Sequence, residues 1–316
     1  MRKLLSLALA TIVFTVAAQK SGYKIAYNVY DSVQKDYEIY ITEMDGSHPR
    51  NISNRKAVDW VYEAYADKIF FISDRDTCSR CFFLYQMDAN GHDVKQVSSL
   101  VLEDSWQSTR NNGTEMIVSG RPGKNIRSQL CLVDLTTGNW RQVTHDTAAY
   151  HNDPQFLPNG KEVVFRYKKN RRNRNEKAEL WKLNLETGAT QQLTWYPASD
   201  TTAEWHSYHA GPPRYQPKDN FISYQSLQQS DYHLYAVTPD GKKHWKLTDT
   251  KMNEGFHSWS GDGKWLAFDG FDRAQSEYHI YVMNWDTKEI MQITNKWKTE
   301  LSPVFVEVRD KINIIK

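Results

Sequence analysis

Six times along the chain a β-rich stretch ends in an apolar residue followed by Ser or Thr: Ile52-Ser53, Val97-Ser98, Val143-Thr144, Leu193-Thr194, Leu247-Thr248 and Ile293-Thr294. The hydroxyl residues lie 45, 46, 50, 54 and 46 positions apart. A turn precedes each by six or seven residues: Asp45-Gly46, Asn90-Gly91, Thr137-Gly138, Thr187-Gly188, Asp240-Gly241 and Asp286-Thr287. Gly and Asn suit such turns because they tolerate positive φ. Before each turn stands one side chain in an alternating run: Tyr40, Tyr85, Cys131, Trp181, Tyr235 and Tyr281. Earlier still come the apolar runs at Lys24–Tyr27, Lys68–Phe71, Met116–Val118, Val163–Phe165, Phe221–Ser223 and Leu266–Phe268. Each unit therefore reads as four short strands with no helical period.

Units of this length, repeated six times, predict an all-β, six-bladed β-propeller of four-stranded blades. A single such sheet cannot bury both faces, whereas a ring of them can. The first unit begins at its second strand, Lys24–Tyr27, while Ser302-Pro303-Val304-Phe305-Val306 supplies a surplus strand at the other end. The expectation is that this C-terminal strand joins the first blade and closes the ring.

The sixth unit reads Trp259-Ser260-Gly261-Asp262-Gly263-Lys264-Trp265-Leu266-Ala267-Phe268, then His279-Ile280-Tyr281-Val282-Met283. It resembles the repeat of TolB-like propellers, and the resemblance extends over nearly all of residues 20 to 308. It implies six blades and a periplasmic or secreted setting. TolB itself carries an additional N-terminal α/β domain, which this sequence lacks the residues to build.

The N-terminus fits export. Arg2 and Lys3 precede the apolar stretch Leu4–Val16, and Val16-Ala17-Ala18 offers a small-residue cleavage site. The expected organisation is a signal peptide over residues 1–18 and a single propeller domain over 19–316. The alternative is an uncleaved N-terminal anchor. The apolar stretch is shorter than the roughly 20 residues that span a bilayer, so no membrane span is expected after cleavage. Cleavage after Ala18 leaves 38 basic and 38 acidic side chains. That balance gives no reason to expect nucleic acid as a partner.

The sequence carries no G-x-S-x-G elbow, no P-loop and no G-x-G-x-x-G. Three cysteines exclude a four-cysteine zinc module. Cys78 and Cys81 are expected to form a local disulfide in an oxidising compartment, with Cys131 buried as an inert thiol.

In a propeller the loop entering each inner strand opens onto one mouth of the central channel. Those segments hold Asp59, Asp104, His151 with Asp153, His206 with His209, His257 and Glu300. His151, His206, His209 and His257 are candidate ligands for a divalent cation, Mn, Zn or Ca, because neutral imidazole binds such ions near neutral pH. Asp153 and Glu300 are an alternative pair for a purely structural calcium. The bland alternative for all of them is strand-end capping. A His-ligated cation is what a resemblance to oligogalacturonate lyases implies, although those enzymes have more blades.

Trp60, Asp104, Trp205, Tyr208, Arg214 and Tyr215 form a candidate ligand surface at the mouth, whereas most other aromatics occupy packing positions. Residues 168–177, Lys-Lys-Asn-Arg-Arg-Asn-Arg-Asn-Glu-Lys, are the one marked charge run. Its alternatives are a solvated loop tip and a docking site for an anionic partner. The functional expectation is a monomeric, exported binding or scaffold module for a protein or acidic glycan. The alternative is a cation-dependent lyase or hydrolase acting on acidic oligosaccharides.

Overall fold

The computed structural model describes residues 21–309, so the expected signal segment, 1–18, lies outside the described residues. The described chain is all strand, turn and loop, and none of it forms a helix long and apolar enough to cross a membrane. Six antiparallel sheets follow one another, each with its strands in chain order from the inside outwards.

The first blade is the exception that closes the ring. Its inner strand is the last in the chain, Glu300–Arg309, which pairs with Ser21–Asp31, followed by Asp36–Glu43 and Arg50–Asn51. Lys24 faces Val306, Ile25 faces Phe305 and Ala26 faces Val304, which is the pairing expected from the two chain ends. Blades two, four and six have inner strands Asp59–Tyr65, Tyr150–Phe156 and Asn253–Trp259. In blade three the inner strand is split into Val101–Leu102 and Ser108–Arg110, both paired with Glu115–Arg121. Blade five keeps only Arg214–Gln216 as regular inner strand. Backbone bonds from Leu227 N to Tyr208 O and from Gly211 N to Gln225 O carry its path further, across the cis Gly211–Pro212 bond.

The repeated hydroxyl has a definite task. The outer strands are only two or three residues long, so they leave an N–H of the third strand without a ladder partner. Ser53, Thr144, Thr194 and Thr294 accept that N–H from Ile39, Leu130, Leu180 and Ile280 at 2.8–2.9 Å. Thr144 and Thr194 pass a proton donor on to Gln129 and Glu179. Blades two and five depart: Ser98 accepts from Leu100 N, and Thr248 donates to Glu254, which itself accepts Leu234 N at 3.1 Å.

Apolar burial lies between blades rather than within them. Ile25, Tyr27 and Phe305 of blade one pack with Ala267, Ile280 and Val282 of blade six. Leu180 and Val164 pack with Ile222 and Val237, joining blades four and five. Similar clusters join blades three to four and five to six, and one continuous cluster joins blades one, two and three.

A polar belt ties the inner strands to this frame. Tyr27, Phe71, Val118, Phe165, Tyr224 and Phe268 face the six repeat-marking side chains Tyr40, Tyr85, Cys131, Trp181, Tyr235 and Tyr281. The next residues are therefore equivalent: Asn28, Ile72, Ser119, Arg166, Gln225 and Asp269. Inner strands bulge opposite this level, between Val61 and Glu63, Asn152 and Gln155, and Glu254 and His257. A bulge leaves ladder groups unpaired, and the belt satisfies them. Asn28 Oδ1 accepts Val61 N at 2.8 Å, Ser119 Oγ donates to His151 O at 2.7 Å, and Asp269 accepts both Phe256 N and Ser302 N. Asp269 thus binds the closing strand directly.

The closing strand carries a fold-level prediction. Deleting residues 302–316 uncovers the edge of the Ser21–Asp31 strand and strips the apolar seam with blade six. Circular dichroism melting should then show loss of a single cooperative transition; a truncated chain that melts like the full one would refute closure by this strand.

Candidate functional site

The channel is built from one residue of each inner strand at a common level. Opposite Ala26, Phe70, Ile117, Val164, Ser223 and Ala267 stand Val304, Glu63, Ser108, Gln155, Arg214 and Ser258. Five of the six are polar, and four of these, Glu63, Ser108, Gln155 and Arg214, are linked across the channel. Gln155 Nε2 donates to Ser108 Oγ at 3.0 Å, and Arg214 Nη1 donates to Gln155 Oε1 at 3.3 Å. Arg214 also donates to Gln107 O and Tyr62 O, and its Nη1 lies 3.8 Å from Glu63 Oε2.

Arg214 is only 6% exposed, and its guanidinium lies 3.7 Å from the centroid of the Trp106 ring. One side chain of blade five therefore touches blades two, three and four. Burial lowers its pKa to about 10 despite the Glu63 carboxylate, which still leaves it charged at neutral pH. Burial likewise raises the Glu63 pKa, with Arg214 and the Thr109 bonds opposing. Beside this layer lies a cavity of about 280 Å³, whose walls include Tyr23, Tyr65, Tyr215, Trp259 and Phe305.

The other end of the channel is reached through residues that precede the layer in their own inner strands. Aromatic rings run from Tyr37 to Trp60, Tyr62, Trp106, Phe256 and Tyr208, with successive centroids 4.6–6.0 Å apart. Tyr62 Oη donates to Asp104 at 2.5 Å, and Arg80 pairs with the same carboxylate at 2.9 Å. Burial, then Asp104, pushes the Tyr62 phenol well above its ordinary pKa. Arg166 lies between the Tyr150 and Tyr208 rings, 5.1 and 4.5 Å from their centroids, and 3.1 Å from Asp153. Burial works against its charge, but Tyr150, Asp153 and Tyr208 more than offset that and raise its pKa.

The candidate ligand surface is thus divided. Trp60, Asp104 and Tyr208 share the aromatic end, while Arg214 and Tyr215 line the cavity at the other. Trp205 is 54% exposed on the loop before blade five, with Arg174 4.6 Å over its ring.

The four histidines do not converge. His151 Nδ1 bonds Ser128 O, His257 Nε2 bonds Ser223 Oγ at 2.7 Å, and His209 Nδ1 accepts Ala178 N. His206 is exposed beside Glu204. Glu300 bonds His279, away from Asp153. Among the described residues no group of three or more His, Cys, Asp or Glu side chains is arranged to hold a metal ion. These residues therefore do not fit the cation expected at the mouth. Cys78 and Cys81 are joined in a disulfide, Cα atoms 5.2 Å apart, and Cys131 is a buried free thiol.

Sequence reasoning passed over Glu63, Gln155, Ser258, Trp106 and Arg166. Arg166 was findable, since it occupies the repeat position of Asn28 and Asp269. The layer residues were not, because bulges shift the inner strands out of simple repeat counting.

A closed six-bladed ring with a polar channel defines a β-propeller. The sequence model described as the dipeptidyl peptidase IV N-terminal region matches residues 8–313, and the chain belongs to that family. Its fold is TolB-like. The crystal structure of TolB from Acinetobacter baumannii superposes with TM-score 0.69 at 16% identity, covering 90% of this chain and 66% of that one, just under two thirds of its length. The putative TolB from Agrobacterium tumefaciens gives 0.60 at 14% identity, covering 94% and 100%. An oligogalacturonate lyase in complex with manganese gives 0.51 at 14% identity, covering 88% and 74%. No curated protein sequence matches the chain.

His257 provides a test of the site's electrostatics. Its burial, then the charge of Arg214, depress its pKa from the usual 6.5 to about 3. The unfolded chain takes up a proton below 6.5 that the folded one refuses, so this contribution to stability is complete above pH 6.5 and declines towards pH 3. Urea unfolding of wild type and His257→Asn should show the wild-type advantage shrinking by up to about 1.4 kcal/mol per pH unit across that window. A pH-independent difference would contradict a neutral, buried imidazole.

Proposed function

We propose that the protein is an exported binding propeller that holds a protein or acidic-glycan partner on the face where its inner strands begin. The observation that carries this is the Arg214 layer. It bridges four blades across the channel, whose other end holds tyrosine and tryptophan rings edged by the Asp104–Arg80 pair. Aromatic rings with a satisfied polar rim suit recognition. A general base or nucleophile poised beside a free reacting space is what chemistry would require. Of the histidines expected as cation ligands, His151, His209 and His257 are engaged in separate hydrogen bonds. Similarity to TolB propellers supports a module of this kind.

The test is titration of the protein with oligogalacturonate, following tryptophan fluorescence together with ultraviolet absorbance of unsaturated sugar. Saturable binding without product is expected. Binding should weaken about tenfold in a Trp60→Ala/Arg80→Glu variant that still melts in one cooperative transition. Product that accumulates with added manganese would replace this function with the cation-dependent lyase.

A further inference from the structure

The basic hairpin between the second and third strands of blade four, together with the loop before blade five, offers a surface that the channel does not use. Resting on the binding function just proposed, the geometry points to this sector as the place where an acidic polysaccharide docks. Lys169, Arg172 and Arg174 are exposed and Arg171 is half-buried. Across the described residues, most arginines near a carboxylate are paired with it, including Arg80, Arg110, Arg121 and Arg127. None of Lys168, Lys169, Arg171, Arg172, Arg174 and Lys177 forms an ion pair among the described residues.

The one carboxylate within the run is already committed. Glu176 accepts the backbone N–H groups of Lys169 and Asn170, so it shapes the hairpin rather than neutralising its arginines. The hairpin is further fixed by Asn170 Oδ1 accepting Arg172 N, Asn173 Oδ1 accepting Asn175 N, and a backbone bond from Arg171 N to Ala148 O. The cations are thus presented on an ordered turn.

The second observation is the indole ring beside them. Trp205 is 54% exposed, and the Arg174 guanidinium lies 4.6 Å from its centroid. Lys177 stands 4.9 Å from the Tyr196 ring in the same sector. An exposed indole face next to arginines matches a ligand that joins carboxylates or sulfates to the apolar C–H face of a sugar ring. A protein partner would call for a desolvated apolar centre, and this hairpin carries Asn and cations instead. A lipid surface would need apolar side chains that enter the membrane, and the hairpin tip has none.

Fluorescence titration with an alginate oligomer, at low and at high salt, tests the assignment. Binding should weaken about fivefold in Trp205→Ala. It should be lost in Arg172→Glu/Arg174→Glu, and screened by salt, with the melting temperature of both variants unchanged. Poly-glutamate of equal charge should bind more weakly and without dependence on Trp205. Equal binding of poly-glutamate, preference for anionic phospholipid vesicles, or no alginate binding at low salt would each overturn the proposal. If alginate binds and responds to Trp60→Ala/Arg80→Glu but not to the hairpin variants, the binding face stands and this sector is excluded.

Discussion

A four-stranded blade with apolar side chains on both faces has no stable existence alone, and every other feature of this protein follows from that. Its interior is distributed among six seams between blades, so each blade is held by its two neighbours. The seam between blades six and one is made by chain segments at opposite ends, through Phe305 against Ile25 and Ala267. Loss of that seam would expose apolar surface on two blades at once.

Closure sets the conditions for the channel. Six inner strands cannot converge without distortion, and the distortion appears as bulges, with Asp153 and Ser302 at positive φ. Backbone groups left unpaired there are taken up by three second-strand side chains, Asn28, Ser119 and Asp269. Asp269 is the most constrained of these. It is fully buried, and burial raises its pKa to about 7 even though two backbone N–H groups favour its charged form. The same position in blade four holds Arg166, which turns a structural belt into the charged, phenol-lined end of the channel. The chemistry of this end of the channel is therefore an elaboration of the closure geometry.

Much of the architecture was legible because it rests on local rules that recur. Turn residues, the Ser or Thr after an apolar residue and the aromatic of the third strand each mark one step of a blade. The surplus strand Ser302–Val306 disclosed the ring. The candidate site was far less legible. Arg214 and Tyr215 are adjacent in sequence, yet Arg214 crosses the channel while Tyr215 lines a cavity wall and bonds Asn220. The histidines looked alike from their positions before inner strands, but the bulges and the loop over residues 195–213 give His151, His209 and His257 separate hydrogen-bond partners and leave His206 exposed beside Glu204. Loop sequence states which groups are available, and only register states which of them meet.

Capped inner strands should make the ring one cooperative unit. Native-state hydrogen exchange at the amides of Val61, Phe256 and Ser302 addresses it most directly, because their acceptors are the side chains of Asn28 and Asp269. All three should exchange only through global unfolding, with a common free energy and the same dependence on denaturant. Exchange of Ser302 and Val61 through a separate opening of blade one, well below the global value, would contradict it.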